Sequence, residues 1–153
     1  MGARQVAVIG SGPDRTREAE EVGRLLAERG HVVVTGGLDD VMAAAHRGAK
    51  SVGGTTVGIL PGERHADANQ WVDVVVVTGI GHARNLAVAA SGHAVIAIGG
   101  SHGTLAEIAF ALRLGRPVVQ LGEGPRVDGV PCVGTPGEAV EAVDRALGPT
   151  TRL

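Results

Sequence analysis

Aromatic side chains are almost missing from this chain: Trp71 and Phe110 are the whole complement, with no tyrosine. Proteins that grip single-stranded nucleic acid stack its bases on aromatic faces, so the sequence argues against a nucleic-acid partner. Any base held here must rest on aliphatic walls and hydrogen bonds. Cysteine is as scarce. Cys132 stands alone and cannot close an internal disulfide, a usage that fits a reducing cytosol. A dominant charge is lacking too: Lys and Arg number 14 against 16 Asp and Glu, so no global field favours nucleic acid or an anionic membrane. No apolar run approaches the roughly 20 residues that cross a bilayer. Met1-Gly2-Ala3-Arg4-Gln5 leads into a strand-like run with no signal-peptide pattern. The expectation is a soluble cytoplasmic protein with no membrane partner.

Several chemistries are missing as well. His31, His46, His65, His82, His93 and His102 are scattered without HExxH or Cys-His spacing, so no metal site is expected. All but His102 read as surface or strand-end residues. No Gly-x-Ser-x-Gly elbow offers a serine nucleophile, and no glycine loop ends in the Gly-Lys-Ser/Thr of a P-loop. Cys132 reads as an ordinary packed thiol.

What is abundant is glycine, 25 of 153 residues, beside a hydrophobic fraction of 44%. That is enough apolar material for a full core in one domain over residues 1–153. Short apolar runs at Val6 to Ile9, His31 to Thr35, Thr55 to Leu60, Val72 to Val77, from Ala94, and Pro117 to Leu121 read as strands. Between them, Arg15 to Arg29, Asp39 to Ala49, Ala83 to Ser91 and the stretch after Thr104 read as helices, and Pro136 to Leu147 as a last one. Asp39 or Asp40 would favour its helix dipole. Glu63 to Trp71 is a polar loop where a crossover helix would be expected, and Pro149 to Leu153 read as a frayed end. Alternating strands and helices, with strands apolar on both faces, predict an α/β fold. The expected architecture is a three-layer Rossmann-like open parallel sheet of about six or seven strands with helices on both faces.

Ligands of such sheets bind at the carboxyl ends of the strands. Those ends carry Gly10-Ser11-Gly12, Gly36-Gly37, Gly79-Ile80-Gly81 and Gly99-Gly100, which together suggest a cleft lined by backbone. The richest is Gly99-Gly100-Ser101-His102-Gly103-Thr104, a glycine turn running into a helix, the usual parts of a phosphate site. A dinucleotide fingerprint fails, because Arg15 takes the third glycine position and the second strand ends Thr35-Gly36-Gly37 with no acidic residue for a ribose. Glu107 lies one turn into the helix. Thr104-Leu105-Ala106-Glu107 matches a capping box, which by itself accounts for both residues. A carboxylate beside a proposed anion site instead suggests work on the ligand. Arg84 is placed to clamp a phosphate or a ribose hydroxyl, with Asn85 as a cap or a polar contact.

The ordered set Thr35-Gly36-Gly37 with Val41-Met42, Gly53 to Gly62, Arg84-Asn85 and Gly99 to Glu107 resembles a known superfamily. It is that of the Rossmann-like "lonely guy" phosphoribohydrolases, once labelled lysine decarboxylases. The resemblance spans Val6 to Leu121 and is closer to the short bacterial branch that includes the molybdenum-cofactor carrier proteins. It implies that Gly99 to Thr104 grip a 5′-phosphate while Arg84 and Glu107 act as the catalytic pair on an N-glycosidic bond. The hydrolases have a proline where Ile98 stands and a lysine where Asn85 stands, and these departures point toward the carriers. Two functions follow as expectations. One is binding of a phosphorylated small molecule, a nucleotide or a molybdopterin-type cofactor as carried ligand, with no turnover and no required cofactor. The other is a nucleoside 5′-monophosphate phosphoribohydrolase that releases free base and ribose 5-phosphate. The nearly all-apolar helix Leu105 to Leu114 needs a second packing partner, so a homodimer through it and through Ala83 to Ser91 is expected.

Overall fold

The computed structural model describes residues 3–149, so most of the expected frayed end lies outside the described residues. Seven strands form one sheet: β1 (Gln5–Ser11), β2 (Val32–Thr35), β3 (Thr56–Leu60), β4 (Val74–Val77), β5 (Ala94–Gly99), β6 (Val118–Leu121) and β7 (Cys132–Val133). Five helices accompany them: α1 (Thr16–Glu28), α2 (Val41–Ser51), α3 (Arg84–Ser91), α4 (His102–Arg113) and α5 (Pro136–Leu147). No helix among them is long and apolar enough to cross a membrane.

The strand order is β4-β3-β2-β1-β5-β6-β7, and every neighbouring pair is parallel. The chain therefore steps outward from β1 to the β4 edge, then returns along α3 to start again at β5. That reversal puts the topological switch point between β1 and β5, where Val6 pairs with Ala94 and Ser11 with Gly99. Alternation along β1 serves two cores. Val6 and Val8 pack with α1, α2 and α5 on one face, and Ala7 and Ile9 pack with α3 and α4 on the other. The expected layering is thus present.

Gly23 and Gly48 sit inside helices because α1 and α2 cross in contact there. A β-carbon at Gly23 would lie 1.9 Å from the Ala45 carbonyl oxygen, and one at Gly48 would lie 1.8 Å from that of Glu20. The polar stretch from Glu63 carries one 3-10 turn, His65–Asp67, and no crossover helix. It is anchored instead by the Asn69 N–H, which donates to the Gly37 carbonyl at 2.9 Å.

Several expectations need correction. β4 is not buried on both faces, since it forms an edge and leaves Val74 50% and Val76 41% exposed. Asp40 precedes α2 with a positive φ of 54° and makes no side-chain cap. Cys132 is exposed on the β7 edge rather than packed. His46 is fully buried within α2, whereas His31 stands at the strand end before β2 as read, nearly buried, with Nε2 2.7 Å from Asp144 Oδ1.

Candidate functional site

The carboxyl ends of β1 and β2 and the amino ends of α3 and α4 enclose a cleft of about 220 Å³. Gly10 opens it. Its φ is 126°, and a β-carbon there would stand 1.9 Å from the Ile98 carbonyl oxygen, so only glycine lets β1 run this close to β5. Ser11 follows at the rim, exposed and paired with Gly99 across the switch point.

Arg84 begins α3 and turns into the cleft, only 9% exposed. Its guanidinium fits because position 36 has no side chain: a β-carbon at Gly36 would meet Nη2 at 2.6 Å and the Met42 sulfur at 2.8 Å. Nη1 donates to Asn85 Oδ1, while buried Nε has no partner among the described residues. Burial lowers the Arg84 pKa, and the negative charge of Glu107 opposes that shift. A buried, under-satisfied guanidinium gains from an anion placed against it.

The facing wall is the start of α4. Ser101 precedes the helix without a side-chain cap, and its carbonyl accepts from the Leu105 N–H at 3.0 Å. The first N–H groups of a helix have no intrahelical acceptor, and Ser101, Gly103 and Thr104 at this end line the cleft. Because α4 starts at His102, Thr104 and Glu107 both lie inside the helix and no capping box forms. The buried Thr104 hydroxyl packs instead beneath Gly100, where a β-carbon would sit 2.1 Å from Oγ1. Glu107 borders the cleft one turn further along. Burial pushes its carboxyl up to about 7, against the pull of Arg84.

The structure brings Gly10, Ser11, Gly36, Arg84, Ser101, Gly103, Thr104 and Glu107 to this one cleft. Gly12, Gly37, Gly99 and Gly100 shape the turns behind it and do not border it. The Gly37 N–H, for instance, donates to Thr35 Oγ1 at 2.9 Å. His102 faces a separate hollow with Leu105 and Pro125. Gly79-Ile80-Gly81 follows the edge strand and does not reach the cleft. Residues not anticipated there are Val8, Ile9, Met42, His82 and Val88. Spacing alone gives Val88, which lies one helical turn after Arg84 and so on the same face.

A doubly wound parallel sheet with a cleft at its switch point defines a Rossmann-like α/β class. More narrowly, the chain belongs to the SLOG cluster4 family, whose model matches residues 3–144. A protein of Archaeoglobus fulgidus described as uncharacterized is 43% identical over 143 residues, 92% of this chain and 94% of that one. The molybdenum cofactor binding protein of the phototrophic bacterium Rippkaea orientalis has a similar structure, with a TM-score of 0.90 and 32% identity, over 97% of this chain and 99% of that one. The molybdenum cofactor carrier protein of Chlamydomonas reinhardtii gives a TM-score of 0.87 at 34% identity, over 95% of this chain and 99% of its own. The resemblance drawn from the glycine motifs is met at the level of family and fold.

Proposed function

We propose that this protein is a binding module of the carrier kind, whose cleft holds the phosphate of a small molecule such as a molybdopterin-type cofactor or a nucleotide. The observation that carries this reading is Arg84, nearly buried, with Nε unpartnered, facing the open amino end of α4. A phosphate between them accepts from the backbone N–H groups and from the guanidinium, each charge-assisted bond contributing about 1.5–3 kcal/mol. Similarity to a molybdenum cofactor binding protein and a molybdenum cofactor carrier supports the same cargo class. Burial, which favours the protonated form of Glu107, lets it donate to the anion rather than repel it.

A second reading is favoured by one observation. Glu107, with its carboxyl near 7, shares the cleft with Arg84, a pairing suited to general acid–base work beside a sugar. In that reading Arg84 orients the ribose and Glu107 assists loss of the base from a nucleoside 5′-monophosphate. The separating experiment is a turnover assay on a panel of nucleoside 5′-monophosphates, scoring free base and ribose 5-phosphate, with Glu107→Gln alongside. Binding without release supports the carrier reading. Release abolished by Glu107→Gln in a folded variant establishes the hydrolase.

We also propose a homodimer through α3 and α4. Leu86, Leu105, Leu112 and Leu114 are each between 37% and 41% exposed on or just beyond these helices.

A further inference from the structure

We propose that Asn85 is what keeps the cleft receptive to an oxyanion. As the neutral partner of Arg84 it positions the guanidinium without cancelling its charge, and its own amide N–H donates to the bound group. This deepens the reading of the cleft as a phosphate site and rests on it. Asn85 follows Arg84 at the start of α3 and lines the cleft beside it. It does not cap the helix, whose N-cap is Ala83 without a side-chain bond.

A buried charge is ordinarily paired with an opposite one. Arg15, Arg24, Arg29, Arg47 and Arg64 all pair with an Asp or a Glu. Arg84 is the one arginine that is buried among the described residues, yet the acceptor it meets is the amide oxygen of Asn85. Glu107 acts on it across the cleft through its charge, without a hydrogen bond. An uncharged acceptor holds a guanidinium in place and leaves its positive charge for a ligand. A carboxylate at the same position would hold it as well and neutralise it.

The same bond orients the amide. With Oδ1 turned to Arg84 Nη1, the nitrogen of Asn85 carries two N–H donors, and neither finds an acceptor among the described residues. Donors therefore gather on the α3 side of the cleft: Arg84 Nε, which is buried and unpartnered among the described residues, and Asn85 Nδ2. The first turn of α4, with Ser101, Gly103 and Thr104, lines the facing side. Asn85 offers the ligand donors alone, so the group it meets is an acceptor. A tetrahedral oxyanion has acceptor oxygens for both sides.

The test is calorimetric titration of inorganic phosphate into the intact protein, Asn85→Asp and Asn85→Ala, with a melting curve for each. Asn85→Asp keeps the shape of the side chain, gives Arg84 an anionic partner and removes the donor. It is expected to lower phosphate affinity by about tenfold to a hundredfold while melting no lower than the intact protein. Asn85→Ala leaves Arg84 charged and is expected to lose about threefold to tenfold. In an Arg84→Gln background Asn85→Asp is expected to cost less than it does alone, because the charge it would cancel is gone. Phosphate affinity in Asn85→Asp within about twofold of the intact chain overturns this inference and leaves the phosphate site standing. Equal losses of affinity in both variants, each with a lower melting temperature, assign Asn85 to packing and overturn it too. No phosphate binding by the intact protein overturns the phosphate site and this inference with it.

Discussion

Gly36 lies beneath the guanidinium of Arg84, so close that a β-carbon there would stand 2.6 Å from Nη2. The contact is with the movable ends of Arg84 and Met42, and Gly36 has no left-handed φ to forfeit. Gly36→Ala is therefore expected to cost stability by less than about 1.5 kcal/mol while displacing Arg84 from the cleft. Calorimetry with phosphate is expected to show affinity reduced about tenfold or more beside a nearly normal melting curve. Full affinity in Gly36→Ala would separate Arg84 from binding.

Glu107 makes the site a stability liability in alkaline solution. Its carboxyl is raised from 4.5 to about 7 by burial, so the folded protein keeps a proton that the unfolded chain has lost. The stability linked to that proton is complete below about pH 4.5 and disappears as pH rises through about 7. Glu107→Gln is expected to match the intact protein near pH 4.5 and to exceed it by up to about 3 kcal/mol above pH 8. Urea unfolding across this range checks the difference, which a solvated Glu107 would not show.

His46 acts in the opposite sense. Fully buried in α2, it is depressed from 6.5 to about 4 by desolvation, partly offset by hydrogen bonds that include Asn69. Its contribution is complete above about pH 6.5 and is lost as pH falls toward 4. Over the shared window these two slopes oppose and partly cancel. In Glu107→Gln the His46 slope stands alone, and stability is expected to fall by about 1.4 kcal/mol per pH unit below 6.5. An NMR titration in which the His46 ring protonates near 6.5 would contradict this.

The apolar outer face of α3 and α4 gives an expectation for assembly. Light scattering after size exclusion is expected to return a dimer mass at micromolar concentration. Leu105→Glu together with Leu112→Glu is expected to return a folded monomer, since charges on such a face oppose its burial. A monomeric intact protein would remove the proposed interface.

The period of the apolar residues made the layering legible, because strands buried on both faces read as continuous runs such as Val6 to Ile9. Strand order was not legible, since nothing local says that α3 returns the chain to the far side of β1. That order decides which glycine turns share a cleft, and it leaves Gly79 to Gly81 beyond an edge strand while Arg84, three residues on, reaches the centre. The capping-box match at Thr104 misplaced the helix start by three residues, because the first turn of α4 uses His102 and Gly103, neither a strong helix former. The burial of His46 was hidden by its polar side chain amid the alanines of α2. Arg84 was visible as a candidate, but its dependence on Gly36 and Asn85 is a three-dimensional fact.

The most direct measurement is calorimetric titration of adenosine 5′-monophosphate into the intact protein and into Arg84→Gln, with melting curves for both. Saturable binding by the intact chain, weakened by about tenfold to a hundredfold in a folded Arg84→Gln, is the expected result. Equal affinity in the two proteins would contradict a phosphate site built on Arg84 and the amino end of α4.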